Sequence, residues 1–362
     1  MAIPARLLVI LLFASLLAAQ PRKTRNVVLV TADGLRRQEL FSGIDPLLMR
    51  EKDAGMEEAA GLRNKLWAET PEQRRARLLP FFWKTLAARG VVLGNLEKGS
   101  AVLVTNAFRV SYPGYSEILT CRAQDDRIRG NDPIRNPRRT VLEFVRQKLG
   151  LDRSAVALFG SWGVFDAIGE SRAGSVYINA GYQDAAGSAR LEELSRLQRE
   201  ALSPWDAVRH DYVTLEMALA YLIQYKPRLL YIALGETDDW AHDKRYDRVL
   251  QTAQYFDQAL QKLWRTLESL PEYRDSTSLV VTSDHGRGSL RSDWSGHGAK
   301  VKGADHIWLA ALGPDTPAGG EAAQAPTAYQ RDVSATILDL LGLPWREFCE
   351  DQGRPVGLVV GR

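Results

Sequence analysis

"RLLYIALGETDDWAHD", residues 228–243, decides how this chain is read. Its first half, Leu229 to Leu234, is a continuous apolar run of the length of a strand buried on both faces. Its second half sets Glu236, Asp238, Asp239, His242 and Asp243 within a few positions of one another, with Trp240 among them. A strand that enters a core so completely ordinarily ends in a plain polar turn. Asp238 and His242 stand four apart, which places both on one face of a helical turn, a spacing that suits metal ligands. The alternative at this point is the first turn of a solvated helix.

Similar apolar runs occur at 26–31 ("NVVLVT"), 101–105 ("AVLVT"), 155–160 ("AVALFG"), 278–283 ("SLVVTS") and 307–313 ("IWLAALG"). Amphipathic patterns such as "TVLEFVRQKLG" and "RVLQTAQYFDQALQKLWRTLESL" lie between them. The alternation predicts an α/β fold, with a mostly parallel central sheet and helices on both faces. Residues 42–98 break the rhythm and predict a helical insertion after the first strand. Within it Thr70, Pro71 and Gln73 have the pattern of a capping box with proline at the first helical position.

In open α/β sheets the carboxyl ends of the strands line the ligand crevice. Here "NVVLVTADG" delivers Asp33, the quoted segment Asp238 and His242, and "SLVVTSDHG" Asp284 and His285. Each taken singly is an ordinary turn or loop. Together they put acids and imidazoles at three strand ends, and four of the five histidines fall in such places. Mixed imidazole and carboxylate donors suit zinc or manganese rather than calcium. "NAFRVSYPGYSEILTC" adds Ser111, expected just after a strand and at the start of a helix, where free backbone N–H groups favour bound phosphate. A bound metal would make that hydroxyl a usable nucleophile.

"TADG", "SYPGYSEILT", "TDDWAH", "TSDHG" and "GHG" occur in the order found in the alkaline phosphatase superfamily, which this chain resembles from about Asn26 to Leu341. The nearest likeness is to its nucleotide pyrophosphatase/phosphodiesterase and cofactor-independent phosphoglycerate mutase branches. The resemblance implies two divalent ions, one on Asp238, His242 and His297, the other on Asp33, Asp284, His285 and the nucleophile Ser111. It also matches Asn131 to an asparagine that contacts phosphate oxygen in the phosphodiesterases. Of the two histidines in "SGHGAKVKGADHIWLAALG", His297 between glycines is the expected ligand, and His306 before the apolar run is expected to pack. Sulfatases need an arginine where this chain has Tyr115, and the segment 122–205 is too short and irregular for the large second domain of the mutases. The implied activity is hydrolysis of a small-molecule phosphate ester through a phosphoserine. The alternatives are phosphoryl transfer to another acceptor at the same site, or metal binding without turnover, against which the intact Ser111 argues.

The 362 residues suit one large domain, and a formal charge of +3 with 25% charged residues gives no sign of nucleic-acid binding. Arg6, the apolar stretch Leu7–Leu17 and Ala18-Ala19 read as a secretory signal of residues 1–19, so the mature protein is expected to start near Gln20, outside the cytoplasm. No span is expected to remain after its removal. Cys121 and Cys349 could pair in an oxidising compartment, but spacing alone leaves that open.

Overall fold

The computed structural model describes residues 22–50, 54–56 and 59–362; the expected signal at 1–19 lies outside them. Among the described residues, eleven strands form two sheets. They are β1 (Asn26–Ala32), β2 (Val91–Leu93), β3 (Val102–Leu103), β4 (Val156–Gly160), β5 (Tyr177–Ala180), β6 (Leu229–Leu234), β7 (Thr277–Thr282), β8 (His306–Ile307), β9 (Leu309–Leu312), β10 (Gly320–Glu321) and β11 (Ala328–Tyr329). The central sheet runs β10-β2-β9-β7-β1-β6-β4-β5, and a small one runs β11-β3-β8. β5, β4, β6, β1 and β7 are mutually parallel, while β9 is antiparallel to both β7 and β2.

Period-two alternation explains why β1 reads as unbroken apolar sequence. Val28 and Val30 enter one core with Leu230, Ile232, Leu279 and Val281, and Val27 and Leu29 enter the other with Leu229, Tyr231 and Val280. Each such side chain, removed from water, contributes roughly 1.5–3 kcal/mol. The first core is closed by the helices Asp211–Tyr225 and Tyr246–Ser269, and the second by Ser111–Thr120, Val141–Lys148 and Asp332–Leu340. The long helix shows the expected stripe, with Val249, Leu250, Ala253, Phe256, Leu260, Leu263 and Leu267 all buried. Among the described residues no helix is long and apolar enough to cross a membrane.

Three readings of the sequence need correction. "AVLVT" does not enter the central sheet: only Val102 and Leu103 are extended, and they pair with β8 and β11. "IWLAALG" is divided, with Ile307 in the small sheet and Leu309–Leu312 in the central one. Within 42–98 the helices Ala60–Leu66 and Pro71–Leu78 and the helical segments Phe82–Leu86 and Ala87–Arg89 give way to β2, a full member of the central sheet, so the helical stretch ends before 98. Thr70 and Gln73 do make the reciprocal capping bonds, with Pro71 first in its helix.

The register of the parallel strands positions everything that follows. Ala32 lies beside Leu234, and Thr31 lies beside Thr282. The segments after β1, β6 and β7 therefore leave the sheet side by side. Asp33 N–H still donates to Leu234 O at 2.9 Å, one step beyond the strand.

Candidate metal centre

Asp33 follows β1, Ser283-Asp284-His285 follow β7, and the helix Glu236–His242 starts one residue after β6. The helix Ser111–Thr120 crosses this edge with Ser111 as its first residue. It can come so close because Gly114 has no Cβ: one built there would collide with the carbonyl oxygen of Asp284. Gly34 plays the same part on the other side, at φ +55°, where a Cβ would lie 2.7 Å from Asp238 Oδ1 and 2.8 Å from Arg287 Nε.

The side chains meet around His285 Nε2. Ser111 Oγ and Asp33 Oδ1 are each 3.4 Å away, Asp284 Oδ2 is 3.5 Å away and Asp238 Oδ1 is 3.6 Å away. His285 Nδ1 donates to Gly286 O at 3.0 Å, so in the neutral ring Nε2 is a lone pair facing those oxygens. His297 is fixed likewise by its Nδ1–H to Arg109 O at 3.1 Å. Its Nε2 is 3.0 Å from His242 Nε2, which is itself 3.1 Å from Asp238 Oδ2. Arg109 offers that carbonyl from a left-handed backbone at φ 54°.

Asp33 and Asp284 each have one oxygen tied and one turned towards His285 Nε2, whereas in Asp238 the oxygen nearest His285 is itself the tied one. Tyr115 Oη donates to Asp33 Oδ2 at 2.9 Å, and Gly34 N–H donates to Asp284 Oδ1 at 3.0 Å. The Arg287 guanidinium donates to Asp238 Oδ1. The other oxygens of the first two, Asp33 Oδ1 and Asp284 Oδ2, are buried with no hydrogen-bond partner. Orphaned carboxylate oxygens in a dry site are costly unless a cation meets them.

The electrostatics point the same way. Burial, then Asp284 and Asp238, drives the Asp33 carboxyl well above its ordinary range. Burial likewise pushes Asp284 up to about 8, with Asp238 adding and the Gly34 N–H opposing. Burial also works against charge on Asp238, but Arg287 and then His242, His285 and His297 hold it well below the usual range. Desolvation drives His285 well below its ordinary value and pushes His297 down to about 4, so both rings are neutral donors at pH 7. Without a cation the three carboxylates cannot all stay charged, and neutral imidazoles with carboxylate oxygens are the donor set of a divalent transition metal. Among the described residues two groups have the spacing to hold an ion, Asp238, His242 and His297, and Asp33, Asp238 and His285, so that Asp238 belongs to both.

The other candidates fall as follows. Asn131 is not in the cluster; its Oδ1 accepts from Tyr112 N–H at 3.0 Å, beside Ser111. His306 lies on β8 with its Nδ1 2.9 Å from Asp305 Oδ1, outside both groups. Glu236 accepts from His210 Nδ1 at 3.1 Å and Asp211 N–H at 2.8 Å, and so serves the scaffold rather than the cluster. Arg287 and the tether role of Tyr115 were not read from sequence. The one available signal was a charged residue set directly after the buried "SDHG".

Fold and cluster together define a class, the alkaline phosphatase superfamily. More narrowly, the model of the type I phosphodiesterase / nucleotide pyrophosphatase family matches residues 53–301, and the chain belongs to that family. That span holds Ser111 and every residue of the cluster except Asp33. No curated protein matches the chain. Among solved structures it is similar in fold to a 2-O GAG sulfatase (TM-score 0.61, 15% identity, 94% of this chain and 75% of that one). A variant of alkaline phosphatase PafA gives a TM-score of 0.60 at 11% identity over 95% of this chain and 100% of that one. The phosphonate monoester hydrolase of Agrobacterium radiobacter gives 0.55 at 15% identity, with 93% and 77% covered.

Proposed function

We propose that this protein is an exported phosphate-ester hydrolase that uses two divalent ions, zinc or manganese, and Ser111 as its nucleophile. The supporting observation is the set of oxygens around His285 Nε2, in which Ser111 Oγ shares one dry site with Asp33 Oδ1 and Asp284 Oδ2, neither of which has a donor. Asp238, His242 and His297 would hold one ion, and Asp33, Asp284, His285 and Ser111 the other. Bound ions would lower the pKa of the serine hydroxyl and neutralise phosphoryl charge.

The chain's own groups supply the rest. Ser111, at the head of a buried helix, presents Oγ to phosphorus; the next N–H groups of that helix are already taken, Tyr112 N–H by Asn131 Oδ1 and Gly114 N–H by Val110 O. The Oγ–P bond forms as the bond from phosphorus to the ester oxygen breaks, and the alcohol leaves with a proton; water then releases phosphate from the serine. Asn131, its carbonyl held by Tyr112 N–H, has its amide available for a phosphoryl oxygen. Tyr115 is committed to Asp33, which argues against the sulfatase arrangement, where arginine is needed at that position. The bond between Cys121 and Cys349 fits an oxidising compartment and so supports export.

The test is a panel of aryl phosphate monoesters, phosphate diesters and sulfate esters, assayed with Zn²⁺, Mn²⁺ and Mg²⁺. Turnover confined to phosphate esters and dependent on metal is expected. Turnover of sulfate esters alone, or none with any loaded form, would reject the reading.

A further inference from the structure

Of the three tethers on the aspartates, two are neutral and one is a guanidinium. Arg287 is 2% exposed, so it has no water to fall back on. Its Nη2 donates to both Oδ1 and the backbone carbonyl of Asp238, the latter at 3.0 Å, and its Nη1 donates to Ser295 O. Ser295 lies two residues before His297. One planar group thus spans the helix that carries Asp238 and His242 and the loop that carries His297. The contact is built for close fit, because Gly34 leaves room for it where a Cβ would lie 2.8 Å from Arg287 Nε.

The oxygen that Arg287 holds is the one best placed to do something else. Asp238 Oδ1 is 3.6 Å from His285 Nε2 and 3.9 Å from His297 Nε2, between the two groups, whereas Oδ2 faces His242. Free, Oδ1 could bridge two ions or swing towards the Asp33 side.

We propose that Arg287 is a positioning residue for the Asp238–His242–His297 group: it occupies Oδ1 so that Asp238 offers an ion Oδ2 alone, and it sets the distance from Asp238 to His297. This deepens the two-ion reading above and rests on it. A lysine would keep the charge but not the fork that reaches two elements at once. Charge and position also make opposite demands. By charge alone, loss of a cation beside Asp238 would tighten metal binding; by position, its loss would weaken binding at one group.

The experiment strips the protein of metal and titrates Zn²⁺ against a chromophoric chelator, for wild type, Arg287→Lys and Arg287→Met, with circular dichroism to check the fold. Two ions in wild type are expected, with one of the two affinities about 10–100-fold weaker in Arg287→Met and an intermediate loss in Arg287→Lys. Unchanged affinities, a tightened site, or both affinities falling together would overturn the proposal. If Arg287→Met does not fold, Arg287→Lys carries the comparison. A wild type that takes up no Zn²⁺ would sink the two-ion reading itself, and is recognised before any variant is made.

Discussion

The two halves of the centre are built from different materials. Asp33, Asp284 and His285 follow directly on β1 and β7, and the latter two side chains are fully buried. Their tethers are a phenol and a backbone amide, and their spacing is inherited from the register of paired strands. Asp238, His242 and His297 come from a short helix and a loop between glycines, and the His242 side chain is 50% exposed. Nothing like a sheet register relates that helix to that loop; Arg287 does so instead. An ion in the deep half is expected to be held by a preformed cage, and one in the outer half to exchange more readily. Sites on sheet ends are more rigid than sites on loops, and the outer half compensates with a buried cation.

The largest effect belongs to the deep half. Ser111→Ala should retain the fold and both ions and lose several orders of magnitude in kcat/KM. Steady-state kinetics and metal content measured on one preparation test this. Activity within a few-fold of wild type would make Ser111 no more than the first residue of its helix.

Next comes the outer half. His297→Ala should lose about one equivalent of the two expected, because an open site resting on three protein donors depends on each. His306→Ala should keep both, since its ring is engaged with Asp305 and lies in the small sheet. Mass spectrometry of the metal content of both variants distinguishes them. The reverse pattern would mean that the outer half has been assigned to the wrong histidine.

A third test uses the disulfide, which anchors only the deep half. Cys121 ends the helix that starts at Ser111, and its partner Cys349 ends Trp345–Cys349. Cys349→Ser should cost roughly 2–4 kcal/mol of stability in denaturant unfolding while leaving the outer ion in place. A loss of outer-half metal in the folded variant would show that the halves share a support.

The strand ends were legible because burial on both faces writes itself as an apolar run. Leu229–Leu234 was read to the residue, and β1 lacked only Ala32. Once β1 and β7 are neighbours, Asp33, Asp284 and His285 leave the sheet side by side, so their convergence could be read from order, while their grouping on one ion came from the family resemblance. β2 was hidden because it is three residues long and follows a helical stretch. "AVLVT" was misassigned because an apolar run does not say which sheet it joins. The partition of the carboxylate oxygens could not be read at all. An arginine after "SDHG" looks like a solvated loop until the helix and loop that bury it are in place, and a tyrosine at 115 says nothing of which oxygen its hydroxyl will reach.

The smallest expected effect is the most direct check on whether the halves are independent. Tyr115 is buried, its ring packs 4.6 Å from that of Phe165, and burial, then Asp284 and Asp33, keeps its phenol protonated far above the ordinary value, so it stays a donor. Tyr115→Phe removes only that donor and keeps the ring in place. Asp33 Oδ2 is then left without its tether in a dry site, a change of roughly 1–3 kcal/mol. Part of that cost falls on the empty protein as well as the loaded one, because Asp33 Oδ2 loses its donor in both. Zn²⁺ affinity at the deep half is therefore expected to weaken by about 10-fold or less, below the loss from Arg287→Met. The outer affinity should not move, since Tyr115 touches none of Asp238, His242 or His297. Chelator competition resolves the two affinities in one titration. If both shift together in Tyr115→Phe, the neutral tether and the guanidinium serve a single unit, and the division into a sheet-built half and an arginine-built half fails.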